Sequence, residues 1–233
     1  MIGNWKCNKG ESAAEDWFAE FAALYRPVAG LQVVVAPSLL CLLPLSRFVR
    51  ALQLKNVSLA AQDVSPFPKG SYTGAVAADM LKGLVEYVII GHSERRRYFH
   101  ETPQDIANKL AESVDAGLKP IVCLDQPYPM SQLMALTEIE CEEMIIAYSP
   151  TEGTVARVPE EPQRVAEAVK SIAQVHPKRP VIYGGSLFPD NVTSYISLPQ
   201  LSGLFVGESS LDAQSFVAIC NKVRASLKEV DGQ

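Results

Sequence analysis

One order of elements repeats along this chain: a short apolar run, a polar or glycine-containing stop, and then a helical pattern. The runs are rich in valine and isoleucine and lack polar alternation, which is typical of strands buried on both faces of a parallel sheet. Eight runs share this character: Ile2–Lys6, Leu31–Ala36, Val57–Gln62, Tyr87–His92, Pro120–Leu124, Met144–Tyr148, Pro180–Tyr183 and Gly203–Gly207.

The segments between these runs predict helices. Thr102 precedes a proline and Gly117 follows the pattern it opens, which is typical of a capped start and a glycine-terminated end. Asp212 is a second candidate cap. The predicted helices are Glu11–Arg26, Thr102–Ala116, Glu160–Val175 and Asp212–Leu227, with one small helix around Ser131–Leu136 in a short unit.

A right-handed chain of eight strand–helix units closes into a barrel. We therefore predict an α/β protein, a (β/α)8 TIM barrel with a shortened fifth helix, as a single domain over residues 1–233. A doubly wound open sheet is the structural alternative, and it usually carries a glycine-rich phosphate-binding turn after its first strand. The residues Asn4-Trp5-Lys6-Cys7 at the end of the first run do not form such a turn.

Charge and cysteine content argue against several classes of function. The net charge is −5 and no Lys/Arg block stands out, so nucleic acid is not an expected partner. The five cysteines include no CxxC pair and no Cys/His cluster of metal-ligand spacing, which favours free thiols in a reducing cytosol. The chain shows neither a signal-peptide pattern nor an apolar run of membrane-spanning length. We expect a cytoplasmic protein with no membrane partner.

In a barrel of this kind the active site lies at the carboxyl ends of the strands. Asn4, Lys6 and His92 at such ends are suited to polarising a carbonyl and stabilising an enediolate-like charge. Glycine-containing turns after the last two runs suit a phosphate held on backbone N–H groups. The other strand-end candidates are Gln62, Ser93, Glu94, Cys123, Asp125, Gln126, Ser149, Gly184, Gly185, Ser186, Gly207, Glu208 and Ser209.

Seven motifs resemble the triosephosphate isomerase family, in the family's order and at nearly its spacing. They are GNWKCN (3–8), AAQDVS (60–65), GSYTG (70–74), YVIIGHSERRRYFHE (87–101), AGLKPIVC (116–123), YGGSL (183–187) and VGESSLDAQSF (206–216). The resemblance covers essentially the whole chain. The short segment 127–143 is more similar to the abbreviated helix of archaeal members.

The resemblance implies an enzyme of glycolysis and gluconeogenesis that interconverts dihydroxyacetone phosphate and glyceraldehyde 3-phosphate without cofactor or metal. In that family a Glu moves a proton between adjacent carbons and a neutral His polarises the carbonyl. A Lys stabilises the negative charge, and a mobile loop closes over the phosphate.

The family's functional positions fall on particular residues of this chain. Lys6 falls on the electrostatic position with Asn4 beside it, His92 on the electrophile, and Glu94 on the carboxylate of the Ser-Glu-Arg triplet. The residues that fall on the phosphate site are Gly185, Ser186, Gly207 and Glu208. Gln62 and Thr73 fall in a segment that reaches into the neighbouring subunit, which implies a homodimer, or a tetramer if the archaeal-like shortening carries over.

Ser149 is the main departure from the family, which has Glu after Ala-Tyr at this strand end. A serine hydroxyl has a pKa far above neutrality and does not abstract a carbon-bound proton unaided. Removing a general base typically costs at least about 10²–10⁴-fold in rate. Glu152, on a loop with little of the family's lid sequence, is a possible stand-in base, and Glu94 is the other.

Two further departures change charge. Glu208 stands where the family usually has glycine or another uncharged or basic residue. A carboxylate that points into a phosphate site would repel a dianion, whereas one that points outward would leave only its backbone N–H at the site. Gln126 replaces a Glu whose role is to orient neighbours, so we expect a smaller effect there.

Three hypotheses follow from these departures. The chain is a triosephosphate isomerase with reduced activity, as the presence of Lys6, His92 and Ser186 favours. Alternatively it is a catalytically inactive relative kept for binding or for a structural role, as Ser149 favours. Alternatively it is a barrel isomerase for a related sugar or sugar phosphate, as the altered lid and Glu208 favour.

Overall fold

The computed structural model describes residues 1–125, 129–134, 141–150 and 158–231. Eight parallel strands pair in chain order and the last pairs with the first, so the sheet closes into a barrel. This closure confirms the predicted (β/α)8 TIM barrel and excludes the open sheet. The strands are β1 (Ile2–Asn4), β2 (Val33–Ala36), β3 (Val57–Ala61), β4 (Tyr87–Ile90), β5 (Lys119–Leu124), β6 (Ile145–Tyr148), β7 (Val181–Tyr183) and β8 (Leu201–Val206).

Helices connect consecutive strands and pack on the outer side of the barrel. They are α1 (Glu11–Leu24), α2 (Leu42–Leu52), α3 (Ala78–Leu81), α4 (Ser93–Tyr98), α5 (Pro103–Asp115), α6 (Pro129–Met134), α7 (Pro162–Val175), α8 (Thr193–Ile196) and α9 (Ala213–Asp231). Single 3₁₀ turns occupy Leu39–Cys41 and Glu208–Ser210.

The predicted elements are confirmed in order, but their ends differ by a few residues. β1 stops at Asn4 rather than Lys6 because Lys6 has a left-handed backbone, with φ 52°, which a strand does not continue through. The shortened fifth helix is the six-residue α6, Pro129–Met134. The last two residues of the predicted helix Ser131–Leu136 lie outside the described residues.

The predicted helix caps are present. Thr102 Oγ1 accepts the Asp105 N–H at 3.1 Å, and Asp105 Oδ2 accepts the Thr102 N–H at 2.9 Å, so the two residues form a reciprocal capping box at the start of α5. Asp212 Oδ1 accepts the Ser215 N–H at 2.7 Å at the start of α9. Local side-chain chemistry therefore sets both helix starts.

Side chains along the strands alternate between two buried layers, which explains why the runs show no polar alternation. The outer layer packs against the helices and includes Tyr148 and Tyr183. The barrel interior holds the other set: Ile2, Val34, Ala36, Ala60, Tyr87, Ile89, Ile121, Cys123, Ala147, Ile182 and Phe205. Every strand is thus covered on both faces.

The seam between β1 and β8 closes under helix α9. Gly3 lies opposite Val206 in the register of the two strands. A Cβ at Gly3 would lie 3.0 Å from Ser210 Cβ and 3.1 Å from Phe216 Cζ, so a larger residue would require both side chains to move away from the strand. The Phe216 ring also contacts Trp17 of α1, with centroids 6.0 Å apart. Aromatic packing of α1 against α9 therefore covers the point of closure.

A buried ion-pair network lies beneath the loops that follow β3 and β4. Lys109 of α5 is 3% exposed, and its Nζ lies 2.6 Å from Asp63 Oδ1 and also contacts Glu101. Arg95 contacts the same two carboxylates, with Nη2 2.8 Å from Asp63 Oδ2. Burial raises the pKa of the Asp63 carboxyl, and the Lys109 charge opposes that rise. Two positive and two negative charges balance here.

Lys109→Met should destabilise the protein by about 3 kcal/mol or more, because it leaves two buried carboxylates with one cation. The free energy of unfolding in urea, at fixed protein concentration, measures the loss. Lys82→Met is the matched control, since Lys82 pairs with Asp79 on the surface, and it should cost less than about 1 kcal/mol. Equal losses for the two substitutions would contradict a larger stability contribution from the buried network.

Candidate active site

The end of β1 places an amine at the barrel mouth. Asn4 is buried, and its Oδ1 accepts the backbone N–H of Lys6 at 3.0 Å. This bond accompanies the left-handed φ of 52° at Lys6, a conformation that costs a non-glycine residue about 1–2 kcal/mol. Gln62 Nε2 donates to Lys6 O at 2.9 Å and to Ala36 O at 2.8 Å. Two amide side chains thus hold the turn that aims Lys6.

The end of β4 places a neutral imidazole beside that amine. His92 caps α4, and its Nδ1 accepts the backbone N–H of Glu94 at 3.2 Å, so the ring proton belongs on Nε2. Burial lowers the pKa of His92 to about 4, and the charge on Lys6 adds to that effect while Glu94 opposes it. At neutral pH the ring is uncharged and has one N–H to donate.

Lys6 and Glu94 form an ion pair at the mouth, with Nζ 2.6 Å from Oε1. The side chains are 30% and 40% exposed, so the pair is solvent-screened and contributes at most about 1 kcal/mol to stability. The other carboxylate oxygen of Glu94 lies 3.7 Å from His92 Nδ1. Lys6, His92 and Glu94 therefore lie together at the barrel mouth.

Ser149 follows β6 and is 6% exposed. Its backbone N–H donates to Leu124 O at 2.9 Å, which extends the pairing of β6 with β5. A Cβ built on Gly184 would lie 3.2 Å from Ser149 Oγ and 2.9 Å from Phe205 Cδ1. The serine hydroxyl thus faces the start of the glycine turn after β7. Glu152 and Gln126 lie outside the described residues.

The turn after β7 has no room for side chains at its glycines. A Cβ at Gly185 would lie 2.1 Å from the Tyr183 hydroxyl oxygen. Asn191 Nδ2 donates to Ser186 O at 2.8 Å, and Ser209 Oγ donates to Leu187 O at 2.9 Å. The second bond ties this turn to the one after β8. Sequence reasoning did not assign a role to Asn191, because no local signal marks a contact made through the folded turn.

These residues line one cavity of about 280 Å³, a size that suits a small molecule. Its lining residues are Asn4, Lys6, His92, Glu94, Ser149, Gly184, Gly185, Ser186, Leu187, Phe188, Phe205, Gly207 and Glu208. Most of the strand-end candidates thus converge, whereas Gln62, Ser93, Cys123, Asp125 and Ser209 do not line the cavity. Three apolar side chains that the sequence did not single out complete the lining: Leu187, Phe188 and Phe205. Phe205 belongs to the barrel interior. A strand pattern alone does not show which interior residue forms the floor of a cavity.

The two predicted interface residues lie apart from this cavity. The Gln62 side chain is engaged within its own chain, as described above. Thr73 is exposed on the loop after β3, near a stacked pair of Phe67 and Tyr72 with ring centroids 4.5 Å apart. The contact with a second subunit therefore stays a prediction.

Cys123, the cysteine among the strand-end candidates, does not line the cavity. Cys123 lies inside the barrel, where burial raises its pKa to about 12, so it is a thiol rather than a nucleophilic thiolate at neutral pH. Within the described ranges no group of three or more His, Cys, Asp or Glu residues is placed to hold a metal ion. No helix among the described residues is both long and apolar enough to cross a membrane.

Known proteins match this chain over nearly its full length. The family model for triosephosphate isomerase matches residues 1–223. Triosephosphate isomerase from Polynucleobacter asymbioticus is 34% identical over 94% of this chain and 97% of its own. The enzyme from Xanthomonas campestris is 34% identical over 97% of this chain and 98% of its own. The enzyme from Thermus thermophilus is 35% identical over 94% of this chain and 96% of its own. The chain therefore belongs to the triosephosphate isomerase family.

Proposed function

We propose that this chain interconverts dihydroxyacetone phosphate and glyceraldehyde 3-phosphate through an enediolate, at a reduced rate. The observation that carries the proposal is the neutral His92 beside Lys6 on one small cavity. His92 Nε2–H donates to the substrate oxygen that becomes negative, and the Lys6 ammonium stabilises the charge. The backbone N–H groups of the turns at Gly185 and Gly207 receive the phosphate.

A carboxylate other than residue 149 must take the proton in this mechanism. Glu94 lines the cavity and is the first candidate, although its pairing with Lys6 at 2.6 Å must loosen before it reaches substrate. Glu152 is the second candidate, three residues after Ser149 in the sequence. Either base gives a slower reaction than a carboxylate fixed on the end of β6, since the reacting geometry is less constrained.

Two other functions each have one observation in their favour. Ser149 at the base position favours a catalytically inactive relative with a binding or structural role. Glu208, which lines the cavity beside Gly207, favours an isomerase whose substrate carries less negative charge than a phosphate dianion. The three readings differ in whether purified protein isomerises a triose phosphate.

The proposal includes action in the cytoplasm as a homodimer, with a tetramer as the larger alternative. Exposed aromatic side chains on the segments after β3 and β4 support a second copy as partner: Phe67, Tyr72, Tyr98 and Phe99. The two segments are joined within the chain, since Arg95 of α4 contacts Asp63 and its guanidinium lies 4.6 Å from the Phe99 ring centroid. Apolar surface of this kind is typical of a subunit contact.

Ser149→Glu should raise kcat about 10²-fold or more, because it returns a general base to the strand end. A coupled assay of triose phosphate isomerisation measures the rate of each variant. Ser149→Gln is the matched control, as it has similar volume without a titratable group, and it should give no gain. Failure of Ser149→Glu to exceed Ser149→Gln would show that the missing carboxylate does not limit the reaction.

Removing the working base should lower kcat about 100-fold or more, since general-base catalysis is then lost. Glu152→Gln and Glu94→Gln, assayed in parallel, distinguish the two candidates, and Glu161→Gln on the exposed start of α7 is the control. An enzyme unaffected by both of the first two substitutions would rule out both bases. No activity in the unaltered protein would favour the inactive relative.

The free energy of unfolding should fall as pH is lowered, in part through His92. The folded-state pKa is about 4 against an ordinary 6.5, so the unfolded chain binds a proton in this range that the folded chain does not. The contribution is fully present above the higher value, and about 3 kcal/mol is lost once pH falls below the lower one. The free energy of unfolding of His92→Gln, measured in urea, should lack this pH-dependent loss. If it fell with pH in parallel with that of the unaltered protein, the buried imidazole would not be neutral.

A further inference from the structure

Glu160, two residues before α7, makes hydrogen bonds with three tyrosines, one through its carboxylate and two through its backbone. Its Oε2 accepts from the Tyr148 hydroxyl at 2.9 Å. Its backbone N–H donates to the Tyr183 hydroxyl oxygen at 3.2 Å, and its carbonyl accepts from the Tyr195 hydroxyl at 2.6 Å. These four residues, called here the Glu160 cluster, join β6, β7 and α8 to the start of α7.

The Glu160 cluster is shielded from solvent. The side chain of Glu160 is 12% exposed, and the three tyrosines are almost fully buried. Tyr183 and Tyr195 stack with ring centroids 4.9 Å apart. Burial raises the pKa of both phenols, so at neutral pH they remain hydroxyl groups able to donate. A carboxylate in such surroundings makes stronger hydrogen bonds than a neutral acceptor would.

The cluster lies on the outer side of the strands whose ends form the active site. Tyr148 and Tyr183 belong to the layer between strands and helices, and Ala147 and Ile182, their neighbours, face the barrel interior. Glu160 does not line the cavity. Within the described part of the chain, its connection to the site runs through the backbone of the two strands.

That backbone connection is short on both strands. Tyr148 immediately precedes Ser149, and its carbonyl accepts the Gly184 N–H at 2.8 Å. The Tyr183 hydroxyl lies directly against Gly185, at 2.1 Å from where a Cβ would be. A shift of the Tyr148 ring would therefore move Ser149, and a shift of the Tyr183 ring would move Gly185.

We propose that Glu160 is a positioning residue that fixes the carboxyl ends of β6 and β7 against each other. Through them it sets the distance between Ser149 and the turn Gly184–Ser186. The inference rests on the proposed function, in which these two features are the base position and the phosphate site. It adds a role for a carboxylate that touches neither substrate nor the reacting atoms.

Two measurements on Glu160→Ala test this role, one of them independent of activity. The substitution removes the bond from the Tyr148 hydroxyl to the carboxylate and leaves the two backbone bonds of Glu160 in place. Hydrogen exchange of the Gly184 amide, which donates to Tyr148 O, should become about tenfold faster or more, because Tyr148 is then less firmly held. The Val34 amide, bonded to Met1 O at 2.8 Å on another strand, reports any global destabilisation and should change less. The dissociation constant of a phosphate-bearing enediolate analogue, measured by calorimetry, should rise by a similar factor.

Conservative and matched variants separate positioning from a loss of fold. Glu160→Gln keeps an acceptor for the Tyr148 hydroxyl and should restore part of both quantities. Glu161→Ala removes an exposed neighbouring carboxylate and should change neither. Tyr148→Phe should add little to Glu160→Ala, because both remove the same bond.

The outcomes distinguish this inference from the proposed function. Exchange at Gly184 within about twofold of the unaltered protein in Glu160→Ala would overturn the positioning role. Equal acceleration at Gly184 and Val34 would also overturn it, since the effect would then be global. If the unaltered protein binds no analogue while Glu160→Ala still accelerates Gly184 selectively, the proposed function fails and the positioning role stands.

Discussion

The pairing of β1 with β8 is the constraint on which the rest of this structure depends, because it converts a row of strands into a ring. Closure brings the first strand end beside the last, and a Cβ at Gly207 would lie 3.8 Å from Lys6 Cε. In an open sheet these residues would stand at opposite edges. The amine and the glycine turns share a cavity because the sheet closes, and Gly3 lets Ser210 and Phe216 pack close to the seam.

The electrostatics of the cavity follow from how deeply each group is set. His92 is buried far enough that its pKa falls to about 4, whereas Lys6 and Glu94 nearby are partly exposed and form an ion pair. A neutral donor and a cation then stand side by side without mutual repulsion. This arrangement suits the stabilisation of an oxyanion, and it is independent of what residue 149 is. In the proposed mechanism, the serine therefore affects proton transfer and leaves the groups that stabilise charge in place.

The two faces of the strand ends differ in what they contact. Residues that face the barrel axis line the cavity, and residues that face the helices, such as Tyr148 and Tyr183, meet the start of α7 through Glu160. Successive strand residues point to opposite sides of the sheet. Each residue that faces the barrel axis therefore has a neighbour in the layer between the strands and the helices. A charge in that layer is well placed to influence the site without contacting a ligand.

The sequence by itself determined the order of the strands, the barrel, the capped start of α5 and the set of strand-end residues from which the cavity is built. It did so because two-sided burial, capping and turn chemistry are written in residues that are close along the chain. The family motifs added expected roles for Lys6 and His92, which remain predictions. The base among Glu94 and Glu152 remains a prediction, and so does the subunit contact at Thr73.

The tertiary structure alone decided which of these residues meet. It turned Gln62 inward onto the Lys6 carbonyl, paired Lys6 with Glu94, placed Phe205 in the cavity wall and gathered three tyrosines around Glu160. It also set how far His92 is buried, and hence its charge. Such contacts join residues far apart in the chain, and they depend on barrel closure and side-chain direction, which no local pattern encodes.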